Sequence, residues 1–213
     1  MTDARTMHDT PDMGEGALRA DAATAPPVIL VDEQDRAIGR AEKLAAHESG
    51  ALHRAVSVFA FDATGALLVQ RRAAGKYHSG GLWSNSACTH PREHESTDDA
   101  ARRCLREEMG VSCRTLEPAF AFIYRAQVSA TLVEHEFDHV FVARVTDRPQ
   151  PNADEVESWR ATTLPQVEAE VEADPSRFSA WFPLALAGLR PLEVTARATR
   201  ALPAMDADDR AGR

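Results

Sequence analysis

The sequence contains histidines and glutamates whose side chains could together bind a divalent cation. In the segment EHEFDHVFVARV two glutamates stand two residues apart, so on a strand they point to the same face. Imidazole nitrogens and carboxylate oxygens are common ligands of Mn²⁺, Mg²⁺ and Zn²⁺. A fold that brought the segments together would give the set His47, His53, His90, Glu134 and Glu136. Residue type alone leaves equally available His78, His94, His135 and His139, and any of these histidines could be an ordinary surface or packed residue.

A cysteine is the second candidate for chemistry. Cys88 lies in NSACTHP, at the end of a strand-like segment and just before a Thr-His-Pro turn. A partly exposed thiol near positive charge could donate a proton or act as a nucleophile. A buried thiol would instead be a small apolar core residue, and the residues alone leave both readings open. The chain has three cysteines, at spacings unlike those of a zinc knuckle, which predicts free thiols.

The third candidate is an acidic helix. Its segment matches the Nudix box, G-x5-E-x7-R-E-U-x-E-E-x-G-U with U apolar, except that Thr89 replaces the first Gly and Cys104 replaces the first Glu of the helix. A loop and helix of this kind can gather carboxylates around Mg²⁺ bound to a diphosphate. An ordinary amphipathic helix with solvated acids is the alternative. The matching positions are Glu95, Arg103, Leu105, Glu107, Glu108, Gly110 and Val111.

Short strands and helices must position these residues. Apolar patterns predict strands at 28–32, 56–62, 66–72, 82–88 and 134–145, the second and third forming a hairpin. Helices are expected from Ser96 or Thr97 to Gly110, near 165–173 and around 179–189. Strands and helices without a regular βαβ rhythm favour an α+β fold. Residues 1–27 and 191–213 lack hydrophobic periodicity, which predicts weakly ordered tails around one domain at 28–190.

The charge balance restricts the class of ligand. The chain has 24 Lys plus Arg against 33 Asp plus Glu, so its formal net charge is 24 − 33 = −9. This disfavours binding to nucleic acids or anionic membranes, which requires a basic surface. The chain has no apolar run near the roughly 20 residues of a membrane span and no signal region, which predicts a cytoplasmic protein. An anionic ligand would need a few placed cations, and the only lysines are Lys43 and Lys76.

Segments of the chain resemble type 1 isopentenyl diphosphate isomerase, a family with the Nudix fold. The resemblance runs in order over roughly residues 28–190 and is most specific in LLVQRRAAGKYHSGGLWSNSACTHP (67–91) and VEHEFDHVF (133–141). It extends to AEKLAAH (41–47), LHRAVSVFAFD, AARRCLREEMG, FIYRA (122–126) and FSAWF (178–182). The resemblance implies a Nudix-type mixed sheet flanked by helices. It also implies conversion of isopentenyl diphosphate to dimethylallyl diphosphate by moving protons, by a monomer without flavin or nicotinamide.

The resemblance also implies roles for individual residues. Cys88 and Glu136 would move protons on opposite faces of the substrate, with Tyr124 beside the glutamate and Trp181 stabilising positive charge. Mn²⁺ or another divalent cation would be bound by His47, His53, His90, Glu134 and Glu136. A second metal, Mg²⁺ bridging the diphosphate, would be held by Glu108 and the backbone carbonyl of Cys88. The diphosphate itself would be contacted by Lys43, Arg72, Lys76 and Arg103.

One departure from the family pattern lies in the acidic helix. Two consecutive arginines usually precede the apolar residue, where this chain has Arg103 and Cys104. If the second arginine is the phosphate contact, Arg102 or Arg106 must replace it, or affinity is lower. Two other functions stay open. A Nudix diphosphohydrolase is disfavoured by Cys104 at the position of a box glutamate, and a silent metal- or diphosphate-binding protein is disfavoured by the retained thiol and glutamate.

Overall fold

The computed structural model describes residues 25–190, 192–198 and 200, and within them nine strands form one mixed sheet. The strands are β1 (Val28–Val31), β2 (Ala37–Ala41), β3 (His53–Phe61), β4 (Leu67–Arg72), β5 (Trp83–Ser84), β6 (Ala87–Thr89), β7 (Cys113–Gln127), β8 (Val133–Val145) and β9 (Val156–Thr162). The helices are α1 (Lys43–Ser49), α2 (Thr97–Met109), α3 (Leu164–Ala173), α4 (Phe182–Leu189) and α5 (Glu193–Ala198), with a 3-10 turn at Pro175–Arg177. Among the described helices, none has both the length and the apolar character needed to cross a bilayer.

Strand β3 is the centre of the sheet. Strand β8 runs parallel to it along its whole length, and this register places His53 opposite Glu136. The other edge of β3 pairs antiparallel with β1, then β6, then β4. Strand β7 pairs antiparallel with β8, and β9 with β4. The one parallel pair makes the sheet mixed, so the predicted α+β fold with a mixed sheet flanked by helices is confirmed.

Alternate residues of β3 supply two cores, one on each face of the sheet. On one face, Val56 and Val58 pack in a buried cluster with Leu105 of α2. On the other face, Phe59 packs against Phe182 of α4, with ring centroids 5.9 Å apart. Burying one such side chain stabilises the fold by about 1.5–3 kcal/mol. The strand that carries part of the site is therefore held rigidly from both sides.

Helix α2 begins and ends where its capping residues predict. The Ser96 hydroxyl accepts a hydrogen bond from the backbone N–H of Asp99, and Gly110 closes the helix in the left-handed region at φ 65°.

The predicted strand at 82–88 is instead two short strands, β5 and β6. The break falls at Asn85 and Ser86, whose side chains are fully buried and bond to neighbouring backbone.

Several elements had no clear signal in the sequence. Strand β2 is short and largely exposed, and α1 and β9 mix apolar and polar residues. Helix α5 lies within the segment predicted as a weakly ordered C-terminal tail. Arg144 on β8 donates hydrogen bonds to the backbone carbonyls of Arg197, Ala198 and Arg200, so this part of the segment is bound to the sheet. Of the tails predicted at 1–27 and 191–213, residues 1–24, 191, 199 and 201–213 lie outside the described residues.

Gly110 provides a test of this packing. A Cβ added at Gly110 would lie 2.2 Å from the carbonyl oxygen of Gln150, in addition to its left-handed backbone. We expect Gly110→Ala to lower the free energy of unfolding by about 2–4 kcal/mol, from backbone strain and overpacking together. Gly75→Ala is the matched control, since a Cβ there meets no described atom within 4 Å. Urea denaturation measures both, and equal stabilities of the two variants would contradict this account.

Candidate active site

One cavity of about 170 Å³ brings most of the predicted site residues together. Its wall includes Lys43, Arg72, Lys76, Cys88, His90, Glu108, Glu134, Glu136 and Trp181. Three further predicted residues contact this wall from behind: His47, His53 and Tyr124. These residues come from five strands (β3, β4, β6, β7 and β8), from helices α1 and α2, and from the connecting loops.

Three histidines converge at one end of the cavity. The Nδ1 of His47 lies 2.7 Å from the carbonyl oxygen of Lys43, and the Nδ1 of His53 lies 2.8 Å from that of Ala51. A carbonyl oxygen only accepts hydrogen bonds, so Nδ1 carries the proton in both rings and Nε2 is free to bind a cation. The Nε2 atoms of His53 and His90 are 3.1 Å apart. His47 and His53 therefore each offer an unprotonated Nε2, and that of His47 lies 3.1 Å from the Tyr77 hydroxyl.

Two glutamates of β8 complete this end of the cavity. Glu136 Oε1 lies 3.0 Å from His90 Nε2 and 3.5 Å from His53 Nε2. The Tyr124 hydroxyl donates to Glu136 Oε2 at 2.6 Å and contacts Glu134 Oε2 at 3.3 Å. Both carboxylates are buried, as the two-residue period of the strand predicts for one face. The ligand atoms of the three histidines and Glu136 all lie within 4.8 Å of one another.

Glu134 belongs to a second, overlapping group. Its Oε1 lies 3.3 Å from Nε2 of His78, and these two residues with His47 form a further set whose ligand atoms lie within 4.8 Å of one another. The sequence named His78 only as one of several available histidines. The sequence feature that could have singled out His78 is its place in the turn KYHSGG, two residues after Lys76, which was predicted to contact the diphosphate.

The donor set fits a divalent cation. Burial lowers the pKa of His47 to about 4 and that of His90 to about 3, so both imidazoles are neutral near pH 7, as metal ligands must be. Burial opposes the charge of Glu136 also, but its contacts with His53 and His90 hold the pKa of this carboxyl well below its usual range. A buried carboxylate among neutral imidazoles needs positive charge nearby, which a divalent cation supplies.

Cys88 and Glu136 differ in their protonation. Burial, with the charge of Glu108, raises the pKa of the Cys88 thiol to about 12, although Arg72 Nη1 lies 3.5 Å from its sulfur. The thiol therefore carries its proton at neutral pH, while Glu136 is a carboxylate. Two titratable groups in one cavity whose pKa values are shifted apart form an acid and base pair. The structure thus offers a proton donor and a proton acceptor.

The last acid of the box lies against the cysteine. Glu108 Oε1 accepts a hydrogen bond from the backbone N–H of Cys88 at 3.3 Å, and Oε2 accepts from Gln70 Nε2 at 2.8 Å. Burial raises the pKa of Glu108 to about 7. The preceding acid, Glu107, also borders the cavity, but its side chain is half exposed and pairs with Arg92 and Arg103. One carboxylate of the box is therefore held in the cavity beside the backbone of Cys88.

Three cations converge on the other side of the cavity. Lys43 Nζ lies 5.0 Å above the ring of Tyr77, Lys76 pairs with Glu155, and Arg72 is buried. Burial, together with the charges of Lys76 and Arg72, lowers the pKa of Lys43. An anion bound among these three side chains would offset their mutual repulsion, so this part of the wall is suited to a phosphate group.

Arg103 lies outside this group of cations. Its guanidinium forms ion pairs with Glu95 at 2.7 Å and with Glu107 at 2.9 Å. It also donates to the backbone carbonyl of His90 at 3.2 Å. In the described structure it therefore braces the loop that carries His90, and it does not reach the cavity wall predicted for it as a diphosphate contact.

Cys104 is a core residue, which accounts for the departure from the box. Its side chain is 1% exposed and packs in the cluster under α2, with its thiol donating to the carbonyl of Ala101. A charged side chain here would be buried. The arginines considered as replacements do not reach the cavity either, because Arg102 pairs with Asp98 and Arg106 is exposed.

Trp181 closes the cavity at the start of α4. The side chain is 3% exposed, and the guanidinium carbon of Arg72 lies over its ring at 5.2 Å from the centroid. The indole N–H donates to Oδ1 of Asn85 at 2.9 Å. The ring face therefore borders the cationic wall, while the polar edge is bound inside the protein. Asn85 was not singled out in the sequence, because this contact joins residues 96 positions apart.

Comparison with known proteins agrees with this geometry. The model of the NUDIX domain matches residues 51–182. Among solved structures, DR0079 from Deinococcus radiodurans superposes with a TM-score of 0.61 at 23% identity, covering 77% of this chain and 98% of that one. The NUDIX domain of Shewanella oneidensis NrtR superposes with a TM-score of 0.51 at 16% identity, covering 66% of this chain and 86% of that one. These likenesses show the fold.

Curated relatives are more similar in sequence. Isopentenyl-diphosphate Delta-isomerase 2 of Aromatoleum aromaticum is 54% identical over 154 residues, which cover 72% of this chain and 81% of the relative. The isopentenyl-diphosphate Delta-isomerase of Streptomyces griseus is 43% identical over 187 residues, covering 87% of this chain and 94% of the relative. The chain therefore belongs to the NUDIX family and, within it, to the isopentenyl-diphosphate Delta-isomerases.

Proposed function

We propose that this chain interconverts isopentenyl diphosphate and dimethylallyl diphosphate in isoprenoid biosynthesis. The observation that carries the proposal is the pairing of a protonated thiol, Cys88, with a carboxylate, Glu136, in the wall of one cavity. The names of the relatives, which state this substrate, support it.

The reaction is a 1,3-allylic proton shift. A proton adds to the terminal methylene carbon, C4, which leaves a tertiary cation at C3. A proton then leaves C2, the carbon between this cation and the carbon that bears the diphosphate, and its electron pair forms the new C2–C3 double bond. Resting protonation suits Cys88 as the donor and Glu136 as the acceptor in the direction of dimethylallyl diphosphate, and the reverse direction exchanges the roles. The Tyr124 hydroxyl orients Glu136. No electrons leave the substrate, so flavin or nicotinamide is not required.

The intermediate cation needs an environment without a nucleophile. The face of the Trp181 ring can stabilise positive charge, and its burial helps to exclude water that would trap the cation as an alcohol. Cys88 suits this requirement too, because a protonated thiol is a much weaker nucleophile than a thiolate.

Two divalent cations fit the described residues. Mn²⁺ or another divalent cation would be held by His47, His53, His90 and Glu136, with Glu134 as a fifth ligand from the overlapping group that it forms with His47 and His78. Mg²⁺ bridging the diphosphate would be held by Glu108 and the backbone carbonyl of Cys88. When bound, these ions supply the positive charge that buried carboxylates and a diphosphate require.

The remaining charge of the diphosphate would be met by three side chains, Lys43, Arg72 and Lys76, all in the cavity wall. Arg103 has no part in this proposal, because its guanidinium is engaged by Glu95 and Glu107. Since one chain supplies every residue used here, we propose that it acts as a monomer. Its free cysteines suit the reducing cytoplasm.

Proton NMR of isopentenyl diphosphate incubated with the protein and Mg²⁺ in D₂O tests the function. We expect the methyl signals of dimethylallyl diphosphate to appear. Because the reaction is reversible, deuterium should enter both this product and the remaining isopentenyl diphosphate. Release of phosphate without these signals would instead make the chain a diphosphohydrolase, and a solution without any change would contradict both activities.

Cys88→Ala tests the proton donor. We expect turnover to fall by about 10³-fold, because a positioned acid contributes about that much, with substrate affinity within about tenfold of the original. Cys113→Ala is the matched control, since this half-buried thiol contacts Arg102 outside the cavity. Steady-state kinetics measure both. Turnover like that of the unmodified protein in Cys88→Ala would remove the thiol from the mechanism.

Glu136→Gln tests the double role of this glutamate. We expect loss of turnover together with a reduced content of divalent metal after purification, because the amide is a weaker ligand and a poor base. Glu117→Gln, at a half-buried glutamate that pairs with Arg197 outside the cavity, is the control and should keep both properties. Metal analysis by mass spectrometry separates the roles. Full metal content with lost turnover would leave Glu136 in proton transfer alone.

A further inference from the structure

Asn85 lies at the break between β5 and β6 and uses its whole side-chain amide. It is 0% exposed. Its Oδ1 accepts from the Trp181 indole N–H at 2.9 Å and from the Ser84 hydroxyl at 2.9 Å. Its Nδ2 donates to the carbonyl of Ala87 at 2.7 Å and to that of Val58 at 3.3 Å. Two donors and two acceptors thus surround an amide that offers two of each.

This surrounding fixes both the orientation and the type of the residue. Turning the amide over would place its NH₂ against the indole N–H and its oxygen against two carbonyl oxygens. Aspartate has the same shape but would place a carboxylate oxygen against the carbonyls of Ala87 and Val58. Only an amide of this length satisfies all four partners.

The four hydrogen bonds join two parts of the site. Ala87 immediately precedes Cys88 on β6, whereas Trp181 belongs to the segment that enters α4. A second connection runs from the Ser84 hydroxyl to the hydroxyl of Ser179 at 2.9 Å. Hydrogen bonds at the break between β5 and β6 therefore link strand β6, which carries Cys88, to the Trp181 ring.

We propose that Asn85 is a positioning residue that sets the Trp181 ring relative to Cys88. With its indole edge bound to Asn85, the ring lies in the wall of the cavity beside Arg72, whose guanidinium carbon is 5.2 Å from the ring centroid. A ring held in this place stabilises the cation formed next to the protonating thiol and keeps water out. This inference rests on the proposed function, because it concerns the transition state of the isomerisation.

Kinetics of Asn85→Ala give the first test. We expect kcat to fall about tenfold or more while KM changes less than about threefold, since the substrate's diphosphate contacts are untouched and a displaced group acts on the transition state. Ser86→Ala is the matched control. Ser86 is equally buried at the same break, but its hydroxyl binds only the backbone of Leu68 and Ala60. Its kcat should stay within about twofold, and equal losses of kcat in both variants would overturn the proposal.

A double-mutant cycle tests the route through the tryptophan. Trp181→Phe keeps an aromatic ring but has no N–H for Asn85. In this background, Asn85→Ala should lower kcat by less than about threefold, because its partner is already lost. The same fold-change in both backgrounds would show that Asn85 acts on something other than Trp181.

A measurement without substrate separates this proposal from the proposed function. In ¹H–¹⁵N spectra, the Trp181 indole resonance is assigned by its loss in Trp181→Phe. Asn85→Ala should shift this resonance and speed its exchange with water, while the Trp159 indole stays in place. An unchanged Trp181 signal in Asn85→Ala overturns the positioning role even if the chain is an isomerase. If the signal changes but the unmodified protein does not isomerise the substrate, the contact between Asn85 and Trp181 is supported and the proposed function is refuted.

A milder variant covers the case in which Asn85→Ala does not fold. Ser84→Ala removes one donor to Oδ1 and the connection to Ser179, but it leaves the two carbonyl contacts of Asn85. We expect a fall in kcat of about threefold, again with little change in KM, and a smaller shift of the same indole signal. Unchanged kcat and an unchanged indole signal in this variant would count against the proposal.

Discussion

The burial of two carboxylates side by side is the constraint on which the rest of the site depends. Glu134 and Glu136 are 2% and 7% exposed, and burial, together with the charge of Glu136, raises the pKa of Glu134 well above its usual range. Leaving a charged carboxylate unpaired in the interior costs several kcal/mol. Tyr124 and the surrounding histidines reduce that cost by hydrogen bonding, but neutral imidazoles bring no charge. A divalent cation among these groups would supply the positive charge that the ionised carboxylate lacks.

The sheet brings the groups together by its register. The parallel pairing of β3 with β8 sets His53 opposite Glu136, and the antiparallel pairing of β7 with β8 sets Tyr124 opposite the same residue. Because β3 is packed on both faces, this register is held by two hydrophobic cores. The acidic net charge of the chain is thus compatible with an anionic substrate, for two reasons. The buried acids can bind metal cations, and the cavity wall has fixed positive charge from Lys43, Arg72 and Lys76.

Local patterns predicted much of this site, and long-range contacts account for what was missed. The two-residue spacing of the glutamates placed both on one face of a strand, and Ser96 and Gly110 gave the ends of α2. The resemblance to a family supplied the remaining ligands in order. Asn85 could not be found in this way, since its role depends on a residue far along the chain. The resemblance placed Arg103 at the diphosphate, whereas the structure pairs its guanidinium with Glu95 and Glu107.

We propose that a divalent cation binds among the buried histidines and glutamates. Anomalous scattering from crystals grown with Mn²⁺, measured on either side of the manganese absorption edge, tests it most directly. The account predicts a strong anomalous peak within bonding distance of His47, His53, His90 and Glu136, the group whose ligand atoms already lie within 4.8 Å of one another. A map with no peak at this position, in crystals whose Mn²⁺ is visible elsewhere, would contradict it.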